Sequence, residues 1–232
     1  MDDAKRAEIL RYLGFSGHVL QEPLKSRIDR VIEDCLSEQK PHGMYAVYPV
    51  SVEEYDDGPA VVLGGTTLVF QGESIVEYMR GASHCALMAV TLGLVSERRL
   101  RSLAATSLTD EAVYSCVCSD LVECGADKLE AQVVAYARER GLFAKERYCP
   151  GFGDFSLDIQ ADFVRVLGAD KHLGIYVTPS GFLVPSKSMT AVVGLFEDVP
   201  GQARLGCVHC ACRDYCLIRE SGTVCYRRPR DT

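Results

Sequence analysis

The chain has 232 residues, of which 47% are hydrophobic and 25% are charged, a composition typical of a globular protein with one large domain. Its formal net charge of −7 argues against a surface that neutralises nucleic-acid phosphates. No stretch approaches the roughly 20 apolar residues of a membrane-spanning helix, and the charged N terminus does not resemble an export signal. We therefore expect a cytoplasmic protein with no nucleic-acid and no membrane partner.

The first forty residues predict two helices. The first is capped by Asp2 or Asp3, carries an apolar stripe and ends at Gly14. The second begins at Pro23, a favourable first-turn residue, and then places apolar residues at three- and four-residue spacing. Residues 1–40 are thus predicted to form a helical pair.

The middle of the chain changes between strand and helix patterns. Strands are predicted by alternation and short apolar runs at Met44–Val50, Ala60–Leu63, Thr66–Gln71 and His84–Leu92. Helices are predicted by three- and four-residue apolar spacing at Ser74–Arg80, at Ser96–Ser107, and from Thr109 to about Arg140 as one helix or two joined at Gly125.

The second half continues the mixed order. Residues 143–154 are predicted to be a loop because proline and glycine interrupt them. Ser156 is expected to cap a helix that runs to about Leu167, and residues 173–196 are predicted to form antiparallel strands. The order lacks regular βαβ alternation, so it favours an α+β fold with antiparallel sheet and helices.

The loop segment RYCPGFGD, residues 147–154, is the strongest candidate for a binding site. Arg147 supplies a fork of donors that suits a carboxylate or a phosphate. Pro150 stiffens the backbone, and Gly151 permits unusual dihedral angles or close approach of a ligand. Phe152 can cover an adenine or lie near a sulfonium, because aromatic faces attract cations. These eight residues alone leave open a tight turn with a solvated arginine.

Three segments carry a resemblance to a known family: RYCPGF (147–152), KHLGIYVTPSGFLVPSKSMTAVVG (171–194) and DKLEAQVVAYARER (127–140). The first resembles the Arg-x-x-x-Gly-Tyr motif by which the activation domain of cobalamin-dependent methionine synthase holds S-adenosylmethionine. The second resembles that family's Lys-His-x-Gly, Thr-x-Ser and Pro-x-x-Ser stretch, and the third resembles the helix before the loop. The resemblance covers roughly residues 121–194 and implies an activation-domain-like fold.

The resemblance also implies which residues contact S-adenosylmethionine. Arg147 matches the family arginine at the ligand's carboxylate end, and Gly151 matches the motif glycine. Phe152 stands where the family usually has tyrosine, which removes one hydrogen bond of about 0.5–1.5 kcal/mol. Glu130 is the closest candidate for an acidic ligand contact. The implied binding set is Arg147, Tyr148, Cys149, Pro150, Gly151, Phe152 and Glu130.

In that family an electron donor, often flavodoxin, reduces inactive cob(II)alamin, and S-adenosylmethionine methylates the resulting cob(I)alamin. The chain has no recognisable cobalamin-binding module and no convincing nucleophile–base motif. The resemblance therefore implies an activation subunit for a methyltransferase, with cobalamin carried by a corrinoid-binding protein or methionine synthase subunit and with flavodoxin or ferredoxin as electron donor. The alternative is a non-catalytic accessory protein that docks a corrinoid protein.

The last residues, 206–232, are predicted to be a cysteine-rich tail that follows an activation-domain-like domain of residues 1–205. Thiolates are ligands for structural zinc and for iron–sulfur clusters. The candidate ligands are Cys207, Cys210, Cys216 and Cys225, with Cys212 as an alternative. Disulfides, a tail without metal and a redox protein centred on these cysteines stay open as alternatives.

Overall fold

The computed structural model describes residues 9–10, 13, 21–56, 58–200 and 213–220. The helices are α1 (Leu24–Glu38), α2 (Glu73–Met79), α3 (Gly93–Thr106), α4 (Leu108–Arg138), α5 (Gln160–Leu167), α6 (Ala169–His172) and α7 (Leu217–Glu220), with 3₁₀ turns at Leu157–Ile159 and Arg213–Tyr215. The strands are β1 (His42–Tyr55), β2 (Gly58–Leu63), β3 (Val69–Gln71), β4 (His84–Thr91), β5 (Phe143–Ala144), β6 (Tyr176–Val177), β7 (Leu183–Val184) and β8 (Ser188–Phe196).

The main sheet has six antiparallel strands in the order β3-β2-β1-β4-β8-β5, and β6 and β7 form a separate hairpin. Strand β4 is buried on both faces, because its successive side chains enter two different apolar cores. The first core lies between the sheet and helices α1, α3 and α4. The second lies between the sheet and helices α2 and α5. The predicted α+β class is confirmed.

The helical predictions are confirmed where the structure describes the chain. Helix α1 follows Pro23 and buries Ile28, Val31, Ile32 and Cys35 on one face. The 3₁₀ turn before α5 is capped by Ser156, whose hydroxyl accepts a hydrogen bond from the amide of Asp158. The predicted N-terminal helix lies mostly outside the described residues, of which Ile9 and Leu10 are helical.

Helix α4 is a single helix of 31 residues, so the alternative of two helices joined at Gly125 is wrong. Gly125 does not interrupt the helix but allows it to pack closely against its neighbours. A Cβ atom at Gly125 would lie 2.6 Å from the Cβ of Pro41 and 2.9 Å from a methyl group of Val90. The missing side chain thus lets α4 lie close against the sheet.

The prediction of a loop over residues 143–154 is wrong at its start. Phe143 and Ala144 form β5 and pair with the end of β8. Tyr148 then forms an isolated bridge with Val192 of the same strand. Edge strands leave a row of unpaired backbone groups, and this segment satisfies them. The binding loop therefore starts on the sheet itself.

Among the described residues, no helix is long and apolar enough to cross a membrane. The predicted domain boundary at residue 205 and the cysteines at positions 207, 210, 212 and 225 lie outside the described residues. Cys216 is described, is half-buried and forms no disulfide with another described cysteine.

The close approach at Gly125 yields a stability prediction. Gly125→Ala should gain about 1 kcal/mol in helix propensity but lose about 1–3 kcal/mol through overpacking against Pro41 and Val90, with a net loss. Urea unfolding followed by circular dichroism measures the change. In the control Gly64→Ala, the new Cβ would meet Pro49 only at 3.4 Å, an ordinary contact. A gain of about 1 kcal/mol in Gly125→Ala, the full helix-propensity benefit with no cost of overpacking, would contradict the packing argument.

Candidate functional site

The predicted binding loop begins where the sheet edge ends. Tyr148 exchanges two backbone hydrogen bonds of 2.8 Å with Val192 of β8. Because neighbouring side chains of an extended segment point to opposite faces, Cys149 packs against the first core and Tyr148 against the second. The loop thus lies at the edge of the sheet between the two helical layers.

Arg147 contacts three carboxylates of helix α4. Its Nη1 atom lies 2.5 Å from Glu130 and 2.7 Å from Asp127, and its Nη2 atom lies 2.8 Å from Glu123. The backbone amide of Arg147 also donates to Glu130 at 2.8 Å. The side chain is only 18% exposed, so the solvated arginine that the sequence left open is excluded.

The three acids occupy one face of α4, since residues four and three positions apart are neighbours on a helix. Sequence analysis selected Glu130, and the structure brings it together with Arg147. It missed Glu123 and Asp127, although their spacing on a predicted helix was a readable signal. We call the surface formed by residues 147–154 and these three acids the loop–α4 site.

The guanidinium of Arg147 keeps donors for a further partner. A guanidinium has five N–H groups, and three of them account for the three carboxylates. In the part of the chain that the structure describes, Nε of Arg147 has no hydrogen-bond partner. A ligand carboxylate can therefore approach through Nε and the second hydrogen of Nη2, while the helix acids hold the group in place.

The loop–α4 site carries excess negative charge. One guanidinium faces three carboxylates, which leaves two formal negative charges. Burial disfavours the charged form of Arg147, but the attraction of Glu130 and Asp127 outweighs burial and raises its pKa. Arg147 is consequently charged at every physiological pH.

Cys149 belongs to the predicted binding set but lacks the properties of a nucleophile. Burial raises the pKa of its thiol to about 12, against a smaller opposing effect of Arg147. At neutral pH the reactive thiolate is therefore scarce. Cys149 is a packing residue beneath the loop.

An aromatic cluster supports the loop from the second core. The ring of Tyr148 stacks on Tyr78 with centroids 5.0 Å apart and on Phe155 at 6.2 Å. Phe152 meets Tyr148 edge-on at 5.9 Å and is 57% exposed. The contact with Tyr148 therefore orients the ring of Phe152, and the exposed part of this ring could stack on a flat ligand group.

Pro150 is buried. The turn that follows it is held by a backbone hydrogen bond and by hydrogen bonds to α2. Gly151 has φ +94°, a conformation that favours glycine, and its amide donates to the carbonyl of Phe155 at 2.7 Å. The carboxylate of Asp154 caps α2, accepting the backbone amides of Glu73 at 2.6 Å and Ser74 at 2.9 Å. Hydrogen bonding to the Ser74 side chain lowers the pKa of Asp154. Sequence analysis missed this cap, because its donor groups lie 80 residues away.

The two family-like segments lie side by side in the structure. A Cβ atom at Gly151 would lie 3.4 Å from Leu157, and one at Gly181 would lie 3.1 Å from the same residue. Gly181 belongs to the turn between β6 and β7, in which the hydroxyl of Thr178 accepts the amide of Phe182 at 3.0 Å. This turn therefore borders the loop–α4 site.

Within the described ranges, no group of three or more histidine, cysteine or acidic residues has the arrangement of a metal site. Of the predicted tail ligands, only Cys216 falls inside these ranges. The assignment of Cys207, Cys210, Cys216 and Cys225, or of Cys212, as metal ligands stays a prediction.

No protein-family model and no curated protein matches the chain in sequence. Among solved structures, the chain resembles the reactivation domain of MetH bound to AdoHcy, with a TM-score of 0.62 and 16% sequence identity. The alignment covers 95% of this chain and 82% of that chain. The chain therefore has the activation-domain fold that its sequence motifs predicted.

The Arg147 network yields a second prediction. Arg147→Ala leaves three carboxylates facing one another, so we expect a loss of about 1–3 kcal/mol in the free energy of unfolding, less than for a fully buried pair. High salt should reduce the loss, because it screens the repulsion. Arg138→Ala, on the exposed end of α4, is the control. Equal effects of the two variants in urea unfolding at low salt would refute the network's role.

Proposed function

We propose that the chain binds S-adenosylmethionine at the loop–α4 site and serves as a reactivation subunit for cobalamin carried by a partner. The observation that carries this proposal is the partly buried Arg147 with its three α4 acids beside a glycine turn. The reactivation domain of MetH, whose fold the chain shares, was solved with AdoHcy bound. The order and spacing of the sequence motifs support the same ligand.

The chemistry of the loop–α4 site matches the groups of this ligand. S-adenosylmethionine has a carboxylate, which pairs with the guanidinium of Arg147, and an ammonium, which lies near the acidic face that Glu123 and Asp127 contribute. Its sulfonium gives the whole ligand a net positive charge, which suits a site with three carboxylates around one guanidinium. The positive φ of Gly151 lets the backbone approach the ligand closely, and the exposed ring of Phe152 covers the adenine.

The proposed mechanism needs no acid or base from the chain. The partner's cob(I)alamin would supply the nucleophile and take the methyl group, and S-adenosylhomocysteine would be the leaving group. The contribution of this chain is to hold the sulfonium in line with the attacking metal, and such positioning can lower a barrier by several kcal/mol. The pinned loop is suited to this task, because Asp154, Tyr148 and Gly151 fix it at three points.

The partner in this proposal is a corrinoid-binding protein or a methionine synthase subunit in the cytoplasm, with flavodoxin or ferredoxin as electron donor. We infer that residues 1–205 form the domain and that 206–232 form a tail whose cysteines hold zinc or an iron–sulfur cluster. A second candidate is an accessory protein that docks a corrinoid protein without methyl transfer. Phe152 in the tyrosine position favours this second candidate, since it removes a hydrogen-bonding group.

Ligand binding is the first test. By calorimetry at low salt, S-adenosylmethionine should bind the full chain, and about tenfold more tightly than AdoHcy, because only the former carries the sulfonium charge. Added salt should narrow this difference in affinity.

Arg147→Ala should weaken S-adenosylmethionine binding at least tenfold, while Arg138→Ala should leave it unchanged. Glu123→Gln retains Arg147 but removes one negative charge. It should therefore reduce the preference for S-adenosylmethionine over AdoHcy. Absence of binding to the natural protein would refute the proposal.

Methyl transfer separates the two candidate functions. When a corrinoid protein reduced with titanium(III) citrate is mixed with the chain and S-adenosylmethionine, the reactivation function predicts methylcobalamin, which its visible spectrum reveals. Omission of the chain is the control. Binding of S-adenosylmethionine and of the corrinoid protein without methylcobalamin would establish the accessory function instead.

A further inference from the structure

A second candidate binding site lies away from the loop, between helices α1, α3 and α4. These helices border a cavity of about 610 Å³ that is open to solvent on one side. Its apolar wall includes Leu24 and Val31 of α1, Leu103 of α3 and Tyr114 of α4. Apart from Pro23, the remaining lining residues are charged. We call the whole space the α1–α3 cavity.

Three arginines line this cavity, although acidic residues outnumber basic ones in the chain, 32 to 25. Arg27 is neutralised, because its Nε donates to Asp110 at 2.7 Å and its Nη2 donates to Ser107 at 2.7 Å. Hydrogen bonding from Arg27 lowers the pKa of Asp110, so this carboxylate stays charged and paired. The other two arginines, Arg30 and Arg99, are less completely paired than Arg27.

Arg30 and Arg99 keep unused donors. Arg30 is exposed and forms no hydrogen bond with any described residue, although its charge is attracted by Asp110. The Nε atom of Arg99 is buried without a hydrogen bond, although a carboxylate oxygen of Glu38 lies 3.3 Å away. That oxygen already accepts a hydrogen bond from Tyr114 at 2.8 Å. Glu38 thus holds the Nε side of Arg99, and the side chain is 38% exposed, so its outer guanidinium nitrogens stay accessible to a ligand in the cavity.

We propose that the α1–α3 cavity binds a small organic anion, a phosphate ester or carboxylate with an apolar part. The anionic group pairs with Arg30 and Arg99, since guanidinium groups match both oxyanions. The apolar part lies against Leu24 and Leu103, which are both partly exposed. Asp34 lines the same cavity and opposes an anion, so it limits the affinity.

Phenyl phosphate is a suitable probe, because it combines a phosphate with an apolar ring. Titration of the full chain, followed by NMR or calorimetry, should show saturable binding that excess S-adenosylmethionine does not displace. Arg99→Gln and Arg30→Gln should each weaken binding at least fivefold. Asp34→Asn should strengthen it severalfold, because it removes a repulsive charge. Arg98→Gln is the matched control, since Arg98 is exposed on α3 and does not line the cavity.

Two results would overturn the proposal. One is the absence of saturable binding to the natural chain at millimolar phenyl phosphate. The other is an equal loss of affinity in Arg98→Gln and in both cavity variants, which indicates general charge attraction. If Arg99→Gln fails to fold by circular dichroism, Arg30→Gln and Asp34→Asn decide the question, because their opposite expected effects do not depend on Arg99.

Discussion

The ion network of Arg147 with Glu123, Asp127 and Glu130 connects the long helix α4 to the edge of the sheet. A guanidinium that is mostly removed from water needs compensating charge, and the helix supplies three carboxylates. Glu130 binds both the guanidinium and the backbone amide of Arg147, so it fixes where the loop leaves the sheet. Position, orientation and charge of the loop–α4 site all follow from this contact.

The network requires a backbone placed by other parts of the fold. The bridge between Tyr148 and Val192 fixes the register, and a shift by one residue would turn Arg147 away from α4. At the far end of the loop, Asp154 caps α2 and belongs to the opposite layer. The loop is therefore held by both helical layers, and this arrangement fixes the shape of the proposed site.

Sequence analysis located most helices and strands because their apolar spacing depends on local burial. It also located the loop and Glu130, through motifs whose order survives in the chain. It failed where partners are distant in sequence. The edge pairing of residues 143–148 depends on the free side of β8, and the cap of α2 by Asp154 spans 80 residues. The role of Gly125 was missed because a close approach to Pro41 is invisible in the helix alone.

Both proposed sites use helix α4, and its continuity separates them. Tyr114 of the cavity and Glu123 of the loop–α4 site are nine residues apart, about 14 Å along a helix that rises 1.5 Å per residue. At physiological ionic strength, charges at this separation are largely screened unless they are buried. An anion in the cavity would therefore affect the cation site by moving α4. The tight contact of Gly125 with Pro41 and Val90 opposes such movement, so we infer that the two sites bind their ligands independently.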